Sequence, residues 1–272
     1  MMAILTLNIV FSNILSYYLI TQFLKWDIKK VKNYKGEDIP TSGGIVFIIV
    51  QFLMSMILYT FTREKLFILL NLFGILAIGI IGLIDDVFGQ KNIKGFKGHF
   101  SCFLRGNLTT GFLKAIIGFF VSFFISYTKN SHDLKELIID TFFICLSINA
   151  LNILDIRPGR ACKFYIIFCL IGLLKLFFMK NYNIIMTIFP ILFSVIVFLS
   201  FDLKEKVMMG DTGANVLGLH LGILFSWILS SKYKIIILFF LLFLNIFAEK
   251  FSISKILDNI GGRKIWKKGP VS

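Results

Sequence analysis

Apolar runs long enough to cross a bilayer recur from end to end of this 272-residue chain. A hydrocarbon core about 30 Å thick takes roughly 20 residues of helix, and lipid offers the backbone no hydrogen-bond partners, so such runs fold as helices. The pattern predicts helices over about 3–24, 44–62, 66–84, 111–127, 136–154, 163–179, 184–201, 213–229 and 233–249. Composition points the same way. Hydrophobic residues make up 57% of the chain and charged residues only 16%, whereas soluble domains carry about a quarter charged. The expected fold is all-α, a polytopic membrane bundle of about nine spanning helices. Lys175 interrupts the sixth helix, and its side chain is expected to snorkel to the interface.

A net charge of +14 could signal nucleic acid. Here the basic residues stand in short segments between apolar runs, so they report orientation instead, and no nucleic-acid partner is expected. The connections after predicted helices 1, 3, 5 and 7, with the tail and Lys114, hold 21 Lys and Arg and 11 Asp and Glu. The other set holds 8 and 4. The positive-inside rule puts the first set in the cytosol, with the N-terminus outside and the C-terminus cytosolic. The first 24 residues carry no charge, unlike a secretory leader with its basic start, so they read as a retained helix. Residues 1–250 form the predicted transmembrane bundle. In 251–272, Ile253, Ile256, Leu257 and Ile260 keep helical spacing beside Lys255, Arg263, Lys264, Lys267 and Lys268, which predicts a basic amphipathic cytosolic tail on anionic lipid. Cys102, Cys145, Cys162 and Cys169 show no ligand spacing, and His99, His132 and His220 are scattered and receive no role.

Four segments exceed what a membrane span requires, and charge bias places all of them on the cytosolic side. Asp85 and Asp86, in GLIDDVFG, end the third helix. Two adjacent carboxylates at a helix C-terminus oppose its dipole and each other, so lysines or a divalent metal should offset them; a solvated loop edge is the bland alternative. Asn149, Asn152 and Asp155, in NALNILDIRPGR, follow at i, i+3, i+6. That stripe faces either a polar cavity or partner helices through amide hydrogen bonds, and Arg157, Arg160 and Lys163 follow it directly. In MMGDTGANVLG, Asp211 or Thr212 is a natural N-cap, and free N–H groups there could hold phosphate. YKGEDIPTSGG places Lys35 and a turn before the second helix. Lys114, on the first turn of the fourth helix, either snorkels or meets a phosphate. Together, acids suited to Mg²⁺, glycine-rich helix starts and lysines describe a site for phosphate groups at a membrane surface.

In this order, PTSGG, GLIDDVFG, NALNILD and MGDTGANVLG resemble the polyprenyl-phosphate N-acetylhexosamine-1-phosphate transferases, over residue 35 to about 220. The resemblance implies an enzyme of surface-glycan synthesis in the bacterial cytoplasmic membrane, with a cytosolic active site. It further implies a UDP-sugar donor, a polyprenyl phosphate acceptor, Mg²⁺ and release of UMP. It would make Asp211 a metal ligand with Asp86 as the second, Asp85 the group that positions or deprotonates the lipid phosphate, and Asn149, Asn152 and Asp155 part of the active site. Lys35 and Lys114 would match the family's basic groups, and Arg157 and Arg160 would contact phosphate. A homodimer is left open. This chain departs from the family where DIRPGRACK stands in place of a DGLDGL-like run, and where the later HxHH-like motif is missing; the chain also reads as about one helix shorter. Those departures keep in view a catalytically lapsed relative that binds polyprenyl phosphate; a transporter, from another class, is the second alternative.

Overall fold

In the computed structural model, residues 2–26, 29–33, 36–89 and 95–250 are described. Lys35 and the tail 251–272 lie outside them. The described residues form ten α-helices and one two-stranded β-hairpin: α1 (Met2–Phe23), β1 (Lys30–Lys32), β2 (Asp38–Pro40), α2 (Ile45–Phe61), α3 (Lys65–Phe88), α4 (Gly95–Leu104), α5 (Thr110–Lys129), α6 (Leu134–Leu154), α7 (Arg160–Phe178), α8 (Tyr182–Asp202), α9 (Gly210–Ile228) and α10 (Ser231–Lys250). All nine helices expected from the apolar runs are present. The sixth runs unbroken past Lys175, which sits in the last turn of α7, partly buried.

Seven of these helices are long and apolar enough to cross a membrane. The two left out have physical reasons. Ile45–Phe61 is apolar but shorter. Helix α9 carries Asp211, Asn215 and His220, yet every residue from Thr212 to Leu224 is buried. A helix shielded by protein on all sides need not be apolar enough for lipid, and α9 is the hub of the bundle. It packs on α6, α3, α7 and α2; α5 lies against α3 and α6, α8 against α1, α2 and α7, and α10 against α6. Small residues set these distances, as they do in membrane bundles generally. A Cβ built on Gly44 would stand 2.1 Å from Gly213 Cα, so α2 and α9 start backbone against backbone. Gly43 and Gly44 add two bonds to that junction, donating their N–H groups to the carbonyls of Met208 and Met209 at 2.9 and 3.0 Å.

The end of the bundle where α5 and α6 meet, at Lys129 and Leu134, holds a buried ion network. Asp140 on α6, fully buried, accepts from Lys129 and Lys234 at 2.6 Å each and from Asn130 at 2.8 Å. Lys234 also pairs with Glu136, and Lys129 stands 5.1 Å from the Trp227 ring centroid. Charges that sequence assigns to a solvated connection thus tie α5, α6, α9 and α10 together. Carboxylates and ammoniums so deep are tolerated only because each has a partner.

Candidate active site

The opposite end of the bundle gathers the acidic motifs. Asp85 and Asp86 close α3, and their side chains divide. Asp86 turns to the start of α9: its Oδ1 accepts the backbone N–H of Asp211 at 2.9 Å, and its Oδ2 accepts the N–H and hydroxyl of Thr212 at 3.1 and 2.6 Å and the Ser42 hydroxyl at 3.0 Å. Both oxygens are therefore engaged. A carboxylate capping the positive end of a helix from a neighbouring helix is strongly favourable. Gly210, at φ 71°, permits the approach: a Cβ there would meet Asp86 Oδ2 at 2.4 Å. The expected cap by Asp211 or Thr212 is thus replaced by one supplied from α3, and two of the N–H groups expected to be open for phosphate, those of Asp211 and Thr212, are filled. Asp86, expected as second metal ligand, serves as this cap.

Asp85 turns the other way. Its Oδ1 accepts from Thr110 at 2.5 Å and its Oδ2 from Lys114 at 2.8 Å, and Lys114 also pairs with Asp211. One ammonium on α5 thus bridges carboxylates from α3 and α9. The cationic compensation that the Asp85–Asp86 pair requires is present twice over, since Lys29 donates to the last carbonyls of α3, those of Asp86 and Val87, at 2.9 and 2.7 Å.

From Asp85 and Lys114 a cleft of about 730 Å³ runs into the span between α5, α6 and α10. Phe112, Ala115, Phe119, Phe142, Ile148 and Leu242 give it apolar walls, while Asn149, Asn152 and His99 add polar edges. Asn149 donates to Asn245 on α10 at 2.5 Å, so this member of the stripe has the helix partner that membrane packing predicts. Asp155 leaves the stripe. It lines a second, smaller cavity of about 60 Å³ with Asn33, Arg157, Pro158, Asp202 and Met208. Burial pushes its carboxyl up to about 8, helped by the charges of Asp202, Asp211 and Asp86. Arg160 opens α7 and lines neither cavity.

The departure at DIRPGRACK is a helix start. Gly159, at φ 74°, precedes α7, and its N–H donates to Asp202 at 2.7 Å. Asp202 thus anchors the residue that leads into α7, where Asp86 caps the first N–H groups of α9 itself. Sequence reading missed Asp202, Thr110 and the role of Ser42. The available signal was an acid at the end of an apolar helix, as in the aspartate pair.

Residues 67–230 match the family model described as glycosyl transferase family 4. The chain belongs to that family. Among its family 4 relatives, the phospho-N-acetylmuramoyl-pentapeptide-transferase of Petrotoga mobilis is 31% identical over 261 residues, covering 91% of this chain and 76% of that protein. Proteins of the same name from Caldanaerobacter subterraneus and Staphylococcus aureus are 27% and 25% identical, covering 87% of this chain and 75% and 76% of their own lengths. The family 4 match includes Asp85, Lys114, Asn149, Asn152, Asp155 and Asp211, while Ser42 and its glycines precede it.

Proposed function

We propose that this multi-pass membrane protein transfers a sugar-1-phosphate from a UDP-sugar, of the N-acetylhexosamine class, to a polyprenyl phosphate, releasing UMP. The reaction is placed at the cytosolic face of the cytoplasmic membrane, where the basic connections put Asp85, Lys114 and Asp211. The observation that carries this reading is Lys114 held between Asp85 and Asp211 at the mouth of an apolar cleft. The relatives' name supports it, since those proteins transfer a phospho-N-acetylmuramoyl-pentapeptide. A polyprenyl tail suits the phenylalanine-lined part of the cleft, and a phosphate suits its charged mouth.

Mg²⁺ fits the donor set. Asp85 and Asp211 present oxygens from two helices to one cation, and hard oxygen donors of this kind suit a metal that binds through one or two carboxylates and substrate phosphates. Among the described residues no group of three or more His, Cys, Asp and Glu side chains could hold a metal, so substrate phosphate would have to complete the coordination. Asp85 and Asp211 would hold it, and Asp86 would stand outside as the helix cap. When bound, Mg²⁺ would neutralise phosphate charge and stabilise the leaving UMP.

The side chains do the rest. A phosphate monoester has its second pKa near 6, so the lipid phosphate is largely ionised at neutrality and needs orientation more than a strong base. Asp85, fixed by Thr110 and Lys114, can orient it through the cation they share. An oxygen of the lipid phosphate attacks the β-phosphorus of the donor; the bond to the bridging oxygen breaks, and UMP carries the electron pair away. Lys114 lies where it can screen the approach of two anions, which otherwise repel. Purified protein, undecaprenyl phosphate, Mg²⁺ and a panel of UDP-sugars test the reading. A lipid-linked sugar phosphate, identified by mass with stoichiometric UMP, is the expected product; its absence with every donor would refute the reading.

A further inference from the structure

The histidine that sequence left without a role lines the cleft. His99 lies on α4, the short helix in the connection between α3 and α5, and its Nδ1 is 2.8 Å from Thr109 Oγ1. Thr109 caps α5 by accepting from Phe112 N–H at 3.3 Å, which leaves its hydroxyl proton free for Nδ1. That assignment, inferred from the network, puts the imidazole proton on Nε2. Stacking of Phe103 on Phe112, centroids 4.4 Å apart, fixes α4 on α5. The ring itself lies over Gly111: a Cβ built there would meet His99 Cε1 at 2.5 Å and Nε2 at 2.6 Å. One residue before Gly111, Thr110 holds Asp85; one turn after Thr110, Lys114 bridges Asp85 and Asp211.

Local charge gives this placement its meaning. Two carboxylates share the Lys114 ammonium, so that cation is already engaged before any phosphate arrives. An anionic headgroup there needs a further donor on the cleft side. Resting on the transferase reading above, we infer that His99 is a positioning residue for the acceptor, donating from Nε2 to a phosphate oxygen of the polyprenyl phosphate in the cleft. The occupant is the lipid, because His99 opens onto the cleft beside the apolar wall of Phe112 and Phe119, which suits a polyprenyl tail.

Direct binding of undecaprenyl phosphate to the purified full-length chain tests this without requiring turnover. A hydrogen bond to a charged group implies that His99→Ala weakens lipid binding about tenfold. His99→Gln, which keeps an N–H donor, should recover most of that loss. Gly111→Ala, whose methyl collides with the ring, should reproduce it while Lys114 and Asp85 stay intact. In turnover, the KM for lipid should rise by the same factor while the KM for UDP-sugar and kcat hold. Lipid binding unchanged in His99→Ala overturns the inference, as does an equal rise in the UDP-sugar KM, which would give the contact to the donor. A wild-type chain that binds lipid through His99 yet releases no UMP would overturn the transferase reading and leave this one standing.

Discussion

Asp86 Oδ1 accepts the backbone N–H of Asp211 at 2.9 Å, so the helix that presents one acid of the site is capped by the acid beside another. Asp85 and Asp86 are neighbours in sequence with separate tasks. Asp86 fixes where α9 begins relative to α3, and that placement brings Asp211 to the same ammonium as Asp85. Ser42, which also donates to Asp86, takes a left-handed backbone at φ 65° to do so, a conformation that persists where the surroundings enforce it.

Asp86→Ala should therefore act through stability. Its removal leaves two helix amides and two hydroxyls without their acceptor, a loss of about 2 kcal/mol or more. Asp86→Asn keeps an acceptor oxygen and should lose less. Thermal unfolding in detergent ranks the three proteins, and Asp86→Ala melting with the wild type would contradict the cap.

Asp85→Asn and Asp211→Asn should separate activity from folding. Each isosteric change removes a charge from the proposed metal and phosphate site, so UMP release should fall by about a hundredfold or more. Unfolding temperatures should fall less than in Asp86→Ala, because Lys114 keeps one carboxylate partner in each variant. Chelation with EDTA should silence the wild type reversibly, and added Mg²⁺ should restore it. Persistent turnover in EDTA rules out the metal.

Asp140→Asn should be the most destabilising single change at the other end. It leaves Lys129 and Lys234 in a buried site with half their compensation, and breaking a buried ion pair costs about 3–5 kcal/mol. Denaturation should show that loss, while UMP release by the folded fraction stays near the wild-type rate, since Asp140 sits at the end of α6 opposite Asn152 and Asp155. A specific loss of turnover without destabilisation would assign this network a different role.

The bundle was legible because lipid demands long apolar helices, and these leave a mark in any sequence. The β-hairpin and α4 were not, being short and held by contacts elsewhere. Motifs around Asp85, Asn149 and Asp211 announced a site, but the division of the aspartate pair could not be read locally: Asp86 reaches Thr212, 126 residues away. Charge counting failed for Asp140 and Asp202, which it places in connections although both are buried. A one-dimensional tally cannot distinguish a solvated acid from one turned inward to a lysine or a helix start.

Asp155 supplies a prediction with a definite sign. Burial and the carboxylates of Asp202, Asp211 and Asp86 raise its carboxyl from the ordinary 3.8 to about 8. The folded protein therefore holds a proton that the unfolded chain releases above pH 4. A raised folded-state value means that the associated stability is full below about pH 4 and is lost progressively as pH rises through 8. The loss is on the order of 3 kcal/mol after allowance for the group's partial exposure. Asp155→Asn cannot ionise and keeps a neutral amide in the same place, so its stability should vary less with pH and should exceed that of the wild type at pH 8. Denaturant unfolding at intervals from pH 5 to 9 gives both slopes. If the two proteins run parallel, Asp155 is ionised in the folded state, and burial beside Asp202 does not hold it neutral.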